Sequence, residues 1–491
     1  MARLHEYKDS IDVPPLDELK IEEPKQVDLD TLIQKIKTIY ETEDSYEIST
    51  NLDTISNLIT ENPTLSNNLI ELDFQSFFGR LIELEVDHFA GNLYRLLSEI
   101  ISNYDGDIFQ VITEPILVFL NDTKTEDMYT FQYKLFAIIN LLTRCPSLKV
   151  FFLTNGLFEY IIATLQMNVQ SNLLDSNQPY LINLITCFFQ CNESDMENEP
   201  IYICEHQIQL FQSIFLILKK PNIPLNLILS CTVCLETMIV WTINLFQFYQ
   251  NEENPHEQFV LYQDESLLNE LINQVIGCLK YNDMQTIASG LTILDNLLLI
   301  NPQYIDNFII DIPKCLYNIV SASPTSDIIG RIYKYMVRVI ESNPDFTLAI
   351  APEFVQQAIE LCDDSSLFEN KVQATRFLAV CIQMRPSSTV PEFMSNYPNI
   401  VPSLCDCFNA KEGISVWIIG ALTCIIESLS DVSLNNEVFS YIYETIELTT
   451  LNEMLQELES QMDPKKPQNI LPMISGLRYL TKVYESVDKD E

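Results

Sequence analysis

The chain has 491 residues, 47% hydrophobic and 20% charged, so its composition predicts a packed protein and excludes wholesale disorder. Its 69 acidic and 28 basic residues give a formal net charge of −41, which disfavours direct binding of nucleic acid because phosphate backbones are repelled. Only 10 glycines are present, which argues against β-rich folds with many tight turns and against glycine-rich phosphate loops.

Residues 1–30 form an acidic segment that contains Pro14, Pro15 and Pro24, and we expect a flexible, extended leader there. The segment has no long apolar core, so a secretory signal is not expected. The 13 cysteines of the chain are therefore expected to be reduced thiols. This pattern indicates a cytoplasmic protein, a nuclear protein or a protein found in both compartments.

From residue 31 onward, apolar residues recur at three- and four-residue spacing, which predicts helices. The segment Leu135–Leu148 has Asn140 near its middle and Pro146 near its end, and the same apolar frame recurs at intervals of about 42 residues. Positions equivalent to Asn140 hold Asn57, Glu99, Asn296, Arg338, Val380 and Ala421. A proline ends the predicted long helix in most of these segments: Pro63, Pro146, Pro302, Pro344 and Pro386.

An interval of this length is typical of armadillo and HEAT repeats, in which two or three helices form one unit. We therefore predict an all-α fold, a right-handed superhelical solenoid of armadillo/HEAT-like repeats over residues 31–487, with roughly nine to ten units. The number of units between residues 183 and 296 stays open, and the acidic stretches 192–200 and 251–257 are expected to be enlarged loops. Leu471–Val487 is predicted to be a helix that caps the end of the array.

One apolar stretch, Leu227–Phe246, is long enough to span a bilayer. Glu236 lies at its centre, however, and a charge there costs roughly 3 kcal/mol on insertion. We predict a buried helix of the array, and no membrane span.

No pattern of residues points to catalysis, so we do not expect an enzyme, a metal site or a cofactor. The four histidines are scattered along the chain, and none lies beside a serine or cysteine in a recognisable catalytic turn. Cys231 and Cys234 form an isolated CxxC pair inside an apolar helix, without the second pair that a structural zinc site needs. Buried cysteines that pack as small apolar side chains are the expected alternative.

At these residues the chain resembles the armadillo-repeat family. The segment Phe136–Asn140 is similar to the family's third-helix pattern, a large aromatic residue followed four positions later by asparagine, and Asn155-Gly156 is similar to the opening of the next repeat. Within the family the resemblance is to the importin alpha group, which carries basic nuclear localisation peptides. The resemblance implies a groove in which asparagines hold the peptide backbone and aromatic rings stack on lysine stems.

That resemblance implies a candidate peptide-binding groove, formed by Asn57, Phe136, Asn140, Trp241, Asn296 and Trp417. The array differs from the family pattern because only Phe136 and Asn140 form a complete aromatic-to-asparagine pair. Asp53 and Thr292 stand at the positions equivalent to Phe136, where an aromatic residue is expected, and Trp417 is followed four positions later by Ala421 in place of asparagine.

The acidic surface is expected to attract basic segments of other proteins, most strongly at low salt. We therefore expect a non-catalytic interaction module that binds extended, basic protein segments, such as nuclear localisation signals, on an acidic concave face. An importin-alpha-like nuclear import adaptor is one form of this module. The alternative is a regulatory scaffold of armadillo type, which would bind a folded enzyme or a cytoskeletal partner.

Overall fold

The computed structural model describes residues 26–429, except for 85, 124–126, 172–175, 191–202, 204–205, 249–263, 282, 301, 309–310, 323–324, 363–366 and 409–413, and short stretches between 438 and 482. Within these residues the chain is all-helical, without a strand, so the predicted all-α class is confirmed. The chain divides into two compact units, unit 1 from Met1–Glu199 and unit 2 from Pro200–Glu491. Residues 1–25, the predicted loops 192–200 and 251–257 and most of the predicted capping helix lie outside the described residues.

Unit 1 is built from long helices that pack side by side, with shorter helices between them. The helices of unit 1 are α1 Gln26–Glu41, α2 Ser45–Glu61, α3 Leu65–Glu71, α4 Phe74–Ile82, α5 Ala90–Asn103, α6 Glu114–Asn121, α7 Met128–Arg144, α8 Lys149–Thr154, α9 Leu157–Gln170 and α10 Gln178–Phe189. The long helix α2 packs against α5, α5 packs against α7, and α7 packs against α10. The first helix begins at Gln26, inside the segment that the sequence assigned to the leader, with Asp28 in its first turn.

Unit 2 repeats this arrangement. The helices of unit 2 are α11 Gln207–Leu218, α12 Leu225–Phe248, α13 Glu265–Cys278, α14 Met284–Ile300, α15 Asp311–Ser321, α16 Ser326–Ser342, α17 Pro352–Leu361, α18 Phe368–Gln383, α19 Val390–Asn396, α20 Ile400–Asp406 and α21 Ile414–Ser428. The long helices of unit 2 form a row in which α12 packs against α14, α14 against α16, α16 against α18, and α18 against α21. The apolar stripes of these helices form the core, as their periodicity predicts.

The helices begin and end at recognisable sequence signals. Asp127 caps α7 by accepting hydrogen bonds from the backbone N–H groups of Tyr129 and Thr130. The helix ends at Arg144, and Pro146 then begins a short 3₁₀ turn because it cannot donate to the preceding turn. The other four prolines of the repeated segments likewise lie within three residues of the end of a long helix, which confirms their predicted role.

Gly156 separates α8 from α9, and its φ of 79° lies in the left-handed region. Glycine adopts this conformation at little cost because it has no Cβ. The predicted Asn155-Gly156 junction between two helices is therefore confirmed.

Among the described residues, one helix is long and apolar enough to cross a membrane, with its candidate span at Leu225–Leu245, and 67% of its most apolar part is buried inside the protein. A bent pair of helices, Pro146–Thr154 with Leu157–Gln170, passes the same test only when the two are taken together. In α12, Cys231, Leu235 and Met238 are fully buried, which is the packing expected of a core helix in a folded unit.

Candidate functional site

Polar contacts join the long helices of unit 1 at the recurring asparagine positions Asn57 and Asn140. Asn57 on α2 is exposed, and its Oδ1 accepts a hydrogen bond of 2.6 Å from Arg95 Nη2 on α5. The same guanidinium donates to Asp53 Oδ1 at 3.3 Å. Asn57 and Asp53 therefore hold an arginine of the neighbouring helix.

Asn140 on α7 also contacts α5. Its amide donates to Ser98 Oγ at 2.9 Å and to Ser102 Oγ at 2.8 Å. Because Arg95, Ser98 and Ser102 are spaced by three and four residues, they lie on one stripe of α5. The structure thus brings Asn57 and Asn140 to the two sides of the same helix stripe, with both amides engaged in contacts between helices.

Phe136 belongs to a row of aromatic side chains, which we call the aromatic surface and define as Tyr129, Tyr133, Phe136 and Tyr180. The ring centres of Tyr129 and Tyr133 are 4.7 Å apart, those of Tyr133 and Phe136 are 6.4 Å apart, and those of Phe136 and Tyr180 are 4.5 Å apart. Tyr129 is 53% exposed. This row continues the helix stripe of Asn140, and it ends on α10.

Sequence reasoning missed the three tyrosines, although their spacing contained the signal. Tyr129, Tyr133, Phe136 and Asn140 are separated by four, three and four residues, which places them on one face of α7. Tyr180 lies at the start of the next long helix and could be assigned to this surface only from the packing of α7 on α10.

Hydrogen bonds hold the end of the aromatic surface that lies at the start of α7. The Tyr129 hydroxyl donates to the Tyr133 hydroxyl at 3.3 Å, and this bond, together with burial, raises the pKa of Tyr129 to about 12. Asp127, which caps the helix at this end, accepts a bond of 2.6 Å from the Thr130 hydroxyl, and this bond holds the pKa of its carboxyl below the usual value. Tyr129 is therefore a neutral phenol beside an ionised carboxylate at neutral pH.

Acidic groups line the same helix stripe. The carboxylate of Glu99 on α5 accepts a hydrogen bond of 3.3 Å from the amide of Asn103 and forms no ion pair among the described residues. Asp53, in contrast, is paired with Arg95. A basic ligand can therefore contact Glu99 without displacing an arginine of the protein.

In unit 2, the equivalent stripe is crossed by ion pairs. Asn296 is half-buried on α14, and the adjacent Asp295 pairs with Arg338 on α16. Further along, Glu341 on α16 pairs with Arg376 on α18 at 3.4 Å. Each arginine neutralises a carboxylate of the preceding long helix, so this stripe is not strongly acidic where it is described.

The two tryptophans occupy different environments. Trp417 on α21 is half-buried, and the guanidinium carbon of Arg376 lies 4.9 Å from its ring centre. The amide of Gln383 donates to the Trp417 backbone carbonyl at 2.7 Å. Trp241, in contrast, is only 3% exposed because α12 is an apolar core helix, so little of its ring is accessible to a ligand.

The six predicted residues are divided between the two units. Asn57 on α2 and Phe136 and Asn140 on α7 belong to unit 1, and Trp241, Asn296 and Trp417 belong to unit 2. In unit 1, Asn57 and Asn140 both contact α5.

Within the described residues, no group of three or more His, Cys, Asp or Glu side chains is placed to hold a metal ion. Cys231 and Cys234 are fully buried in α12, and burial raises the pKa of the Cys231 thiol. The predicted role of these cysteines as core residues is confirmed.

No family model matches the chain, and no curated protein matches it. Among solved structures, the chain is similar to the crystal structure of an engineered protein from the Northeast Structural Genomics Consortium, with 11% sequence identity and a TM-score of 0.65. The similarity covers 92% of this chain and 99% of that chain. At this identity the likeness concerns the fold alone, a set of packed helices.

Proposed function

We propose that the chain is a non-catalytic protein-interaction module that binds extended, basic segments of partner proteins on the aromatic surface of unit 1. The observation that carries this proposal is the row Tyr129, Tyr133, Phe136 and Tyr180, which runs from α7 to α10. Aromatic faces attract lysine and arginine side chains, and each such contact is worth about 0.5–1 kcal/mol at exposed sites.

The proposal includes the finer architecture: a right-handed solenoid of armadillo-like repeats with a period of about 42 residues. Hydrogen bonds between equivalent points of neighbouring long helices support it, since Asn140 contacts Ser98 and Arg95 contacts Asp53 across the same number of residues. In such an array the long helices line a concave face, and an extended peptide lies across them.

Charge supports the choice of a basic ligand. A net charge of −41 attracts a basic segment over a distance of several ångströms before contact. Nuclear localisation signals are the class of basic segment that the resemblance to importin alpha favours, so a cytoplasmic and nuclear import adaptor is the form of this function that we propose.

The test is the fluorescence anisotropy of a labelled Lys/Arg-rich localisation peptide, compared with a peptide in which glutamine replaces the basic residues. We expect the basic peptide to bind more tightly and to lose affinity as salt rises. Tyr129→Ala combined with Phe136→Ala should weaken binding about tenfold through the loss of two aromatic contacts. Phe109→Ala is the matched control because Phe109 is an exposed aromatic residue of unit 1 outside the aromatic surface.

If the basic and neutral peptides bind equally tightly, the proposal is wrong. Tyr129→Ala alone serves as the second variant, because the exposed Tyr129 side chain contributes little to the core. The scaffold alternative predicts a different outcome: a folded partner captured by the full chain and not displaced by an excess of basic peptide.

A further inference from the structure

Two buried cysteines of unit 2 contact each other at the ends of two helices. Cys362 is the residue that ends α17, and Cys407 is the residue that ends α20, 45 residues further along the chain. The Cys407 thiol donates to the backbone carbonyl of Cys362, with 3.7 Å between sulfur and oxygen. Both side chains are buried, so this contact lies inside the fold.

The helix α18 supports this contact from one side. It packs against both α17 and α20, and its Thr375 side chain is fully buried. The Thr375 hydroxyl donates to the Lys371 backbone carbonyl at 2.7 Å, and its oxygen lies 3.4 Å from the sulfur of Cys362. Because the hydroxyl is fixed by its bond to the backbone, it holds the Cys362 thiol in place beside Cys407.

The surroundings favour ionisation of one of the two thiols. A side-chain hydrogen bond between the cysteines has the largest effect, since it lowers the pKa of Cys407 and raises the pKa of Cys362. Thr375 and the Lys371 ammonium lower the pKa of Cys407 further. Burial and the Asp406 carboxylate oppose them, but the pKa of Cys407 stays below its ordinary value. Cys407 is therefore the thiol that loses its proton first.

Other buried cysteines differ from Cys407 in this respect. Burial raises the pKa of the thiols of Cys187, Cys381 and Cys405. A thiol with a lowered pKa, a nearby cation and a second thiol within reach are the features of cysteines that peroxides oxidise. Both cysteines also lie at helix ends, which open more readily than helix centres and so can admit a small oxidant.

We propose that Cys407 and Cys362 form a site of peroxide oxidation, at which the two thiols are converted reversibly into a disulfide. The Cys407 thiolate attacks one oxygen of hydrogen peroxide, so that an S–O bond forms, the O–O bond breaks and hydroxide leaves. The Cys362 thiol then attacks the sulfur of this sulfenic acid, an S–S bond forms and the oxygen leaves as water. Both cysteines are oxidised by one electron each, and the peroxide is reduced to two molecules of water.

The reverse step needs only a thiol reductant. In a reducing compartment, thiol–disulfide exchange with a small thiol returns both cysteines to the reduced state, so the disulfide is transient there. The site lies in unit 2, whereas the aromatic surface lies in unit 1. The oxidation site can therefore fail while the peptide-binding proposal holds, and the reverse is also true.

Disulfide mapping of the full chain tests the proposal. The chain is treated with hydrogen peroxide, its free thiols are blocked with N-ethylmaleimide in denaturant, and it is digested with trypsin and Asp-N protease. These proteases leave Cys362 in residues 345–362 and Cys407 in residues 406–411, each as the single cysteine of its peptide. We expect these peptides to be joined, with the loss of two hydrogen atoms in mass, and to separate in dithiothreitol.

The proposal is wrong if the joined peptides are absent, or if they are no more abundant than peptides that join other pairs of cysteines. Because this measurement uses the unchanged chain, it decides the proposal even where a serine variant fails to fold.

A second measurement determines which thiol reacts first. Dimedone, which traps sulfenic acids, is present during the oxidation of Cys362→Ser and of Cys407→Ser. We expect dimedone at Cys407 in Cys362→Ser, because serine cannot displace the oxygen, and none at Cys362 in Cys407→Ser. Dimedone at Cys362 and not at Cys407 would overturn the assignment of Cys407 as the attacking thiol.

Cys315 offers a matched control. It is also buried, its thiol donates to the Ile276 carbonyl at 3.9 Å, and Lys280 lies close enough to lower its pKa, although burial raises that pKa more. Among the described residues, no second cysteine affects its ionisation. Cys315→Ala should therefore form the disulfide as the unchanged chain does. If dimedone labels Cys315 as strongly as Cys407 in Cys362→Ser, peroxide reacts with buried thiols in general and the proposal is wrong.

Discussion

The guanidinium carbon of Arg376 on α18 lies 4.9 Å from the ring centre of Trp417 on α21. The same guanidinium donates to Glu341 on α16 at 3.4 Å. One arginine thus connects three consecutive long helices of unit 2. Arg376 therefore covers the face of the Trp417 ring on which a basic ligand would stack.

Replacing Arg376 with alanine should uncover Trp417. We expect acrylamide to quench tryptophan fluorescence more strongly in Arg376→Ala, because the second tryptophan, Trp241, is buried and responds little. Loss of the ring contact and the ion pair should also lower the free energy of unfolding by about 1 kcal/mol. Both effects can be measured on the same samples.

Arg331→Ala is the control for this prediction. Arg331 forms an exposed ion pair of 2.9 Å with Asp327 within α16, so its removal changes the net charge equally without touching Trp417. Unchanged quenching in Arg376→Ala would show that the arginine does not shield the ring.

A buried lysine joins two helices of unit 1. Lys134 is 1% exposed, its ammonium donates to the backbone carbonyl of Asp122 at the end of α6, and it lies 5.5 Å from the ring centre of Tyr94. Lys134→Ala should lower the free energy of unfolding by about 3 kcal/mol, since both a hydrogen bond to a charged group and buried packing are lost. Urea unfolding followed by helical circular dichroism measures this change.

Lys134→Met should cost about half as much, because methionine keeps most of the buried packing and loses only the ammonium. The exposed Lys37 on α1 offers a control, as Lys37→Ala removes the same charge from a surface position. A Lys134→Ala protein as stable as the Lys37→Ala protein would contradict a structural role for this lysine.

Much of the fold could be predicted from local sequence, because proline and apolar spacing act within one or two helical turns. Pro146 ends α7 wherever the helix lies in the fold, and the apolar residues around Asn140 define its buried face. The first helix begins at Gln26, inside the predicted leader of residues 1–30. Asp28 is compatible with a first helical turn, and Pro24 disfavours helical backbone only at the residue that precedes it.

The candidate site could be predicted only in part, because its contacts join different helices. The sequence singled out Asn140, yet its partners Ser98 and Ser102 have no distinguishing sequence signal. Trp417 was identified as a candidate groove residue, but the position of Arg376 over its ring depends on a rotamer and on helix packing. Trp241 is also a tryptophan, and only its burial in α12 distinguishes it from Trp417.

The cap of α7 should make stability depend on pH. The hydrogen bond from Thr130 lowers the pKa of Asp127 in the folded state, so the carboxylate contributes stability that is fully present above the unfolded pKa of 3.8. This contribution is lost as the pH falls through the lower folded pKa. Asp127→Ala should therefore cost about 1 kcal/mol at neutral pH, and the difference from the unchanged protein should shrink between about pH 5 and pH 3.

Urea unfolding of both proteins across this range measures the difference, at low protein concentration because the sequence pI of ≈ 4.2 lies within the window. Asp127→Asn is the matched variant: its amide oxygen still accepts from the backbone N–H groups of Tyr129 and Thr130, so its cost should be smaller and should change less with pH. A deficit in Asp127→Ala that stays the same from neutral to acidic pH would mean that the ionised carboxylate does not stabilise the helix. The lost stability would then reflect the side-chain contacts of Asp127 alone.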